Sequence, residues 1–319
     1  VKIIAMEEAF KIPQVDPLVR DHPFNEQLWD KMPQTKLLDV KDGRLADMDA
    51  AGIDVQVLSH TTPGFETMPA ELAVRLAKQS NDILAECVAA HPDRFAGLAS
   101  LPTPDPAAAA DELERGVKEL GLKGAIINGT TGNRFLDHES FRPVLERADA
   151  LGTPIYLHPA PVPGEVADVY YGGFPDAVNT VLATAAWGWH VEVGLHALRL
   201  IISGVFDRYP NLRFIIGHDG EAVPFMLARA SEAMAVVGLE RSVEEYFAEH
   251  FFVTTSGFFA HAPFLCLLHA VGVDRILFAV DYPYDSNKRG RDFLDHLPVS
   301  LTDRHRIAHG NAERLLGIA

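Results

Sequence analysis

The sequence predicts a single-domain α/β protein spanning residues 1–319, a (β/α)8 TIM barrel, on three observations. Eight short apolar runs recur, an amphipathic segment separates each from the next, and no Gly/Ser linker or internal repeat divides the chain. Continuous apolar strands alternating with helices indicate a parallel sheet covered by helices, and eight of them in 319 residues suit a closed barrel. A doubly wound open sheet would want a Gly-rich phosphate turn after the first strand, where this chain has MEEAF.

The elements follow in order. KIIAM (2–6) is the first strand and runs straight into Glu7 and Glu8. Adjacent strand residues point to opposite faces, so at most one of these carboxylates faces a given interior, and that one needs a task there. A long Pro-dotted excursion over 11–40, with Phe24, Trp29 and Met32, precedes the strand VQVLS (55–59). In the helix that comes next, over 70–90, Leu72, Leu76, Ile83, Leu84, Cys87 and Val88 form one stripe. GLASL (97–101) leads to a helix over 106–120 that begins after Asp105, an N-cap, and stops before Gly121. GAIIN (124–128), the helical SFRPVLERADALG and PIYLH (154–158) come next, with a second excursion over 159–178 after this fifth strand. GLHALRLIISGVFDRYP is helical, and RFIIG (213–217), FFVTT (251–255) and ILFAV (276–280) complete the set. Long loops in a compact domain serve as binding loops or lids, or as subunit contacts.

Composition narrows the function classes. Lys plus Arg total 28 against 44 Asp plus Glu, a net charge of −16, which argues against nucleic acid or an anionic membrane as partner. No apolar window approaches the ~18 residues of a membrane span, and VKIIAMEE reads as a strand rather than a secretory leader. Cys87 and Cys266 read as small core hydrophobes in a reducing compartment, so the expected location is cytoplasmic.

A barrel builds its active site at the carboxyl ends of its strands. Those ends carry Glu7 and Glu8 on strand one, Asn128 on strand four, His158 on strand five, His218 after strand six and Asp281 after strand eight. Each alone has an ordinary reading as a surface group, a core imidazole or a turn cap. Together, Glu7, His158 and Asp281 suit a divalent metal ion. In GHDGE (217–221), Gly217 and Gly220 permit a tight turn, and His218 with Glu221 suits a hydrogen-bonded acid–base pair. Asp219 receives no role, His196 reads as a packing histidine, and His60, His190 and His309 remain unassigned.

The set EEAF, YLHP, GHDGE, TTSG (254–257), DYPY (281–284) and NAERLLGI resembles the amidohydrolase superfamily, and within it the hydroxybenzoate decarboxylase branch. The likeness runs from Ile3 to the C-terminal helix through RLADMDAAGID (44–54) and NDILAECVAAHPDRFAGLASLP (81–102). It implies one divalent ion held by Glu7, His158 and Asp281, with no organic cofactor. γ-Resorcylate decarboxylases carry a His two residues after the first Glu, whereas this chain has Ala9, as the 2,3-dihydroxybenzoate and 5-carboxyvanillate types do. The shell that remains is oxygen-rich and favours Mn2+ or Mg2+ over Zn2+. A second departure is Asp219, where relatives usually have Met.

The resemblance further implies non-oxidative decarboxylation of an aromatic acid with an ortho hydroxyl, by a homodimer or homotetramer. Asp281 is then the proton donor to the ring carbon, resupplied through His218 and Glu221. Phe10, Trp189, Phe258 and Tyr284 are expected to wall the ring, and Arg229 to meet a carboxylate, across a subunit contact or as a surface salt bridge. The alternative is a mononuclear hydrolase of a lactone or amide. Binuclear hydrolases need a bridging lysine at the end of strand four, where Asn128 stands. A non-catalytic scaffold is the third class.

Overall fold

The computed structural model describes residues 1–19 and 31–318, so Phe24 and Trp29 lie outside the described residues. Nine strand segments form: β1 Ile4–Phe10, β2 Val55–His60, β3 Phe95–Gly97, β4 Ala99–Ser100, β5 Ala125–Asn128, β6 Ile155–His158, β7 Phe214–Ile216, β8 Phe251–Thr254 and β9 Ile276–Leu277. They make two sheets of order β1-β2-β3 and β4-β5-β6-β7-β8-β9. Every neighbouring pair is parallel. Leu98 N–H donates to Leu58 O at 2.9 Å and Met6 N–H to Phe278 O at 3.0 Å, so the sheets are stitched to each other at both ends.

The third expected strand, 97–101, differs in detail. Pairing starts earlier, at Phe95, and changes partner at Leu98: β3 bonds to β2, whereas β4 bonds to β5. One apolar run therefore serves both sheets, because a backbone has bonding groups on two sides and can hand over from one neighbour to the next.

Helices connect the strands as the apolar periodicity predicts. Ala70–Ala90 buries Leu76 and Leu84 from its stripe. Pro106–Lys118 starts with the Asp105 side chain accepting Ala108 N–H at 3.1 Å, satisfying one of the free donors of the first turn. Between β1 and the Asp42–Ala51 helix, residues 11–40 include the short helices Asp16–Val19 and Gln34–Leu38. After β6 lie Gly164–Val166, Ala167–Tyr171 and Asp176–Ala183. No helix among the described residues is long and apolar enough to cross a membrane.

Two hydrophobic clusters flank the strands. Ile4, Met6, Leu98, Ile126, Tyr156 and Ile215 pack together on one side of the strands. On the other side, Ala5, Leu58, Ala99 and Ile127 pack against buried helix residues such as Leu76 and Leu113. Along β1, Ile4 and Met6 thus share one side and Ala5 takes the other. Strict alternation would next send Glu8 to the Met6 side, but the register of β1 against β2 slips between Ala5 and Glu8. A bulge re-aims the side chains beyond it, and here Glu7 follows Met6 while Glu8 faces away.

Candidate functional site

Glu7 reaches Tyr156 of the inner cluster. Its Oε2 accepts hydrogen bonds from the Tyr156 and Ser256 hydroxyls and from Thr254 Oγ1 at 3.0 Å. Gly217 permits this crowding, since a Cβ there would lie 2.9 Å from Glu7 Oε2 and 3.1 Å from the Tyr156 hydroxyl. The other oxygen, Oε1, is buried without a hydrogen-bond donor and lies 3.3 Å from His158 Nε2. Burial alone would raise the Glu7 pKa, but the charge of His218, contacts with His158 and the Ser256 hydroxyl outweigh it and hold the carboxyl well below its ordinary range.

His158 Nδ1 lies 2.7 Å from Pro159 O, and a carbonyl only accepts, so Nδ1 carries a proton and Nε2 is the nitrogen that faces Glu7, with its lone pair available whenever the ring is neutral. Asp281 completes the group: one donor atom each from Glu7, His158 and Asp281 fall within 4.8 Å of one another. An orphaned buried carboxylate oxygen, an imidazole nitrogen and a second carboxylate make a donor set that fits a divalent ion. Asp281 sits in the left-handed region with φ 70°, uncommon for a non-glycine residue. Burial and the neighbouring Glu7 raise its pKa against the opposing pull of His218.

Glu8, on the opposite face of β1, is fully buried and accepts Val280 N–H at 2.9 Å and Tyr282 N–H at 3.1 Å. Gln56 Nε2 donates to it at 3.3 Å. The partner of Glu8 is therefore chiefly the backbone on either side of Asp281.

His218 Nε2 lies 3.8 Å from Glu7 Oε1 and 3.9 Å from Asp281 Oδ2, and its Nδ1 meets Glu221 Oε1 at 2.7 Å. Burial disfavours charge on this imidazole, yet Glu221 and Glu7 overcome it and raise the pKa well above the ordinary histidine value. Glu221 moves the opposite way: burial pushes it up, but His218 and His190 together pull it down. His190, which the sequence leaves unassigned, occupies the second Glu221 oxygen at 2.6 Å. His190, His218 and Glu221 form another compact group of potential ligand atoms, already tied together by their own hydrogen bonds.

A cavity of about 240 Å³ opens over these groups, lined by Lys31, Met32, Thr62, His158, Ala185, Trp189, His218, Asp281 and Tyr284. Trp189 and Tyr284 thus line this cavity, and the Tyr284 hydroxyl bonds Thr61 Oγ1 at 2.7 Å. The Phe258 ring lies 5.5 Å from that of His218. Phe10 is not among the lining residues; it is buried with its ring 5.7 Å from His60. Arg229 is also outside the cavity, with its side chain 71% exposed and paired to Glu232 at 3.4 Å. Lys31, Ala185 and Thr62 are lining residues that no strand-end reading of the sequence would find.

His196 bears out the packing role: it is buried, and its Nε2 accepts Leu136 N–H at 2.9 Å. Asp219 is buried with both carboxylate oxygens lacking donors among the described residues, and burial raises its pKa well above the ordinary value.

The amidohydrolase family model matches residues 17–318. The chain is 37% identical over 330 residues to a γ-resorcylate decarboxylase of Rhodococcus jostii, covering 98% of this chain and 97% of that one. Among solved structures it is similar to 5-carboxyvanillate decarboxylase from Sphingomonas paucimobilis, with 34% identity, a TM-score of 0.93 and coverage of 100% of this chain and 99% of that one. A dihydroxybenzoic acid decarboxylase from Polaromonas sp. JS666, solved with bound manganese and the inhibitor 2-nitroresorcinol, gives 36% identity and a TM-score of 0.90 over 99% of this chain and 97% of that one. With a family match over nearly its whole length and relatives above 30% identity end to end, this chain belongs to the amidohydrolase family.

Proposed function

We propose that this chain is a metal-dependent, non-oxidative decarboxylase of an aromatic acid carrying a hydroxyl ortho to its carboxylate. The observation that carries the reading is the juxtaposition of Glu7, His158 and Asp281 with the His218–Glu221 pair under one cavity walled by Trp189 and Tyr284. Relatives above 30% identity that act on dihydroxybenzoate and carboxyvanillate acids support it.

Glu7, His158 and Asp281 would hold the ion, and Mn2+ is the first candidate because the Polaromonas relative carries manganese. When bound, such an ion neutralises and orients oxygen atoms of the substrate. The chain's own residues do the rest. Trp189 and Tyr284 flank the ring, and Lys31 in the cavity wall places a cation where an acid can use it. Asp281 delivers a proton to the ring carbon bearing the carboxylate; the C–C bond then breaks, its electron pair returns to the ring, and CO2 leaves. His218, charged between Glu7 and Glu221, returns a proton to Asp281 across 3.9 Å.

The same reading takes residues 1–319 as one (β/α)8 TIM barrel with insertions over 11–40 and 159–178, in a cytoplasmic homo-oligomer. Support for association comes from Phe225 and Met226, exposed beside Arg229 on the Val223–Met234 helix, and from exposed Val169, Tyr170 and Phe174. Arg229 would then serve a neighbouring copy, which its distance from this chain's own cavity permits.

The test is CO2 release by protein reconstituted separately with Mn2+, Mg2+ and Zn2+, across γ-resorcylate, 2,3-dihydroxybenzoate, salicylate and 5-carboxyvanillate. Metal-dependent CO2 from one acid, abolished in Asp281→Asn, is the expected result. Silence across the panel with metal demonstrably bound overturns it. A His218→Asn variant at full rate would remove the proton route through that residue.

A further inference from the structure

We propose that His190 is a positioning residue for the acid–base pair: it holds the free oxygen of Glu221, and so fixes Glu221 on His218, while tying both to the indole that walls the cavity. The kinetic part of this inference rests on the decarboxylase reading; the structural part does not.

Glu221 is buried and its two oxygens face two imidazoles, Oε1 toward His218 Nδ1 at 2.7 Å and Oε2 toward His190 Nδ1 at 2.6 Å. An ionised carboxylate only accepts, so each ring presents Nδ1–H. That leaves His190 Nε2 as the acceptor of Trp189 Nε1–H at 3.1 Å. Ala185 O lies 3.0 Å from the same Nε2, but a carbonyl has no proton to give, so the indole is the donor that satisfies the neutral ring. Trp189 and Ala185 both line the cavity. A hydrogen-bonded chain therefore runs Trp189, His190, Glu221, His218, and ends 3.9 Å from Asp281.

The backbone is shaped for this contact. His190 and Gly194 are one turn apart on the Gly188–Ile202 helix, and a Cβ on Gly194 would stand 2.6 Å from Glu221 O. The helix thus lies directly on the Glu221 backbone, which has φ 55°. The His190 and His218 rings are 4.6 Å apart at 67°, and the Phe258 ring packs against both. Remove His190 and Glu221 Oε2 is a buried acceptor without its donor; the carboxylate is then free to rotate away from His218 or to take up a proton.

Two variants and two readouts decide it. His190→Asn places an amide N–H near the position of Nδ1, whereas His190→Phe has no donor. On Mg2+-loaded protein without substrate, the downfield Nδ1–H resonance of His218 is expected to persist in wild type and His190→Asn and to vanish or broaden in His190→Phe. An unchanged His218 resonance in His190→Phe overturns the proposal. In turnover, kcat in His190→Phe is expected to fall about 100-fold with KM within about threefold, His190→Asn to recover at least a tenth of wild-type kcat, and His190→Phe combined with Glu221→Gln to be no slower than Glu221→Gln alone. Multiplying effects in the double variant, or equal losses in Asn and Phe, assign His190 to packing and overturn it. If no acid is decarboxylated, the functional reading fails while the resonance test still decides the role of His190.

Discussion

Glu8 holds Asp281 from behind. Its carboxylate accepts the backbone N–H of Val280 at 2.9 Å and of Tyr282 at 3.1 Å, the two residues flanking Asp281. A non-glycine residue at φ 70° persists only where its surroundings over-determine it, and Glu8 supplies part of that constraint from the opposite face of β1.

Glu8→Gln is expected to weaken the ion without touching a ligand. The amide has one acceptor oxygen where two N–H groups need one each, so the Asp281 backbone relaxes. Groups behind metal ligands are commonly worth 10–100-fold in affinity, and a Mn2+ dissociation constant raised by about 10-fold is the expected calorimetric result. Turnover should recover largely at saturating Mn2+.

Tyr156→Phe tests the hydroxyls on Glu7. The ring stays in the inner cluster, and only one of three donors to Oε2 is lost. The protein should remain folded by circular dichroism, with Mn2+ affinity falling by about 10-fold. Unchanged affinity would mean that Thr254 and Ser256 suffice.

Gly217→Ala should do worse. Its methyl would sit 2.9 Å from Glu7 Oε2 and 3.2 Å from Ser256 Oγ, and neither group can retreat in a packed interior. Overpacking of this kind costs about 1–3 kcal/mol. Urea unfolding should report that loss, and metal binding should fall with it.

Glu66 sets a pH dependence of stability. It is buried, and burial outweighs hydrogen bonds from Asn128 N–H and Phe65 N–H to push its pKa up to about 7. Between the ordinary value of 4.5 and about 7 the folded protein binds the proton more tightly than the unfolded chain, so this contribution is intact at low pH and lost as pH rises. The loss approaches about 3 kcal/mol above pH 7. In Glu66→Gln the unfolding free energy relative to wild type should therefore rise by about that amount between pH 5 and pH 8. A constant difference between the two proteins would overturn it.

The site was legible because Glu7, His158 and Asp281 stand directly after or at the end of apolar runs, although β1 continues through Glu7 to Phe10 and β9 stops at Leu277, four residues before Asp281. The facing of Glu7 was legible only as a choice between two neighbours. Simple alternation from Ile4 and Met6 points to Glu8, and the bulge that reverses this has no signature in IIAMEEAF. His190 was hidden for another reason: it lies in the first turn of a helix, away from any strand end, and among fourteen histidines nothing marks which one matters. A signal was present nonetheless in Gly194. Glycine in a helix interior costs roughly 1 kcal/mol relative to alanine, and Gly194, four residues on, shares the face of His190. The ring wall was half legible, since an aromatic residue near a strand end serves core and cavity alike: Tyr284 and Trp189 reach the cavity and Phe10 packs on His60.

Three hydroxyls grip Glu7 and the Pro159 carbonyl fixes His158, so the protein's own groups orient both side chains. If Glu7, His158 and Asp281 hold an ion as proposed, it would meet oriented side chains and have little of the chain left to order. Loading would then be an exchange of water for protein oxygen and nitrogen rather than a folding event, and ions of similar radius would be expected to replace one another with the fold unchanged.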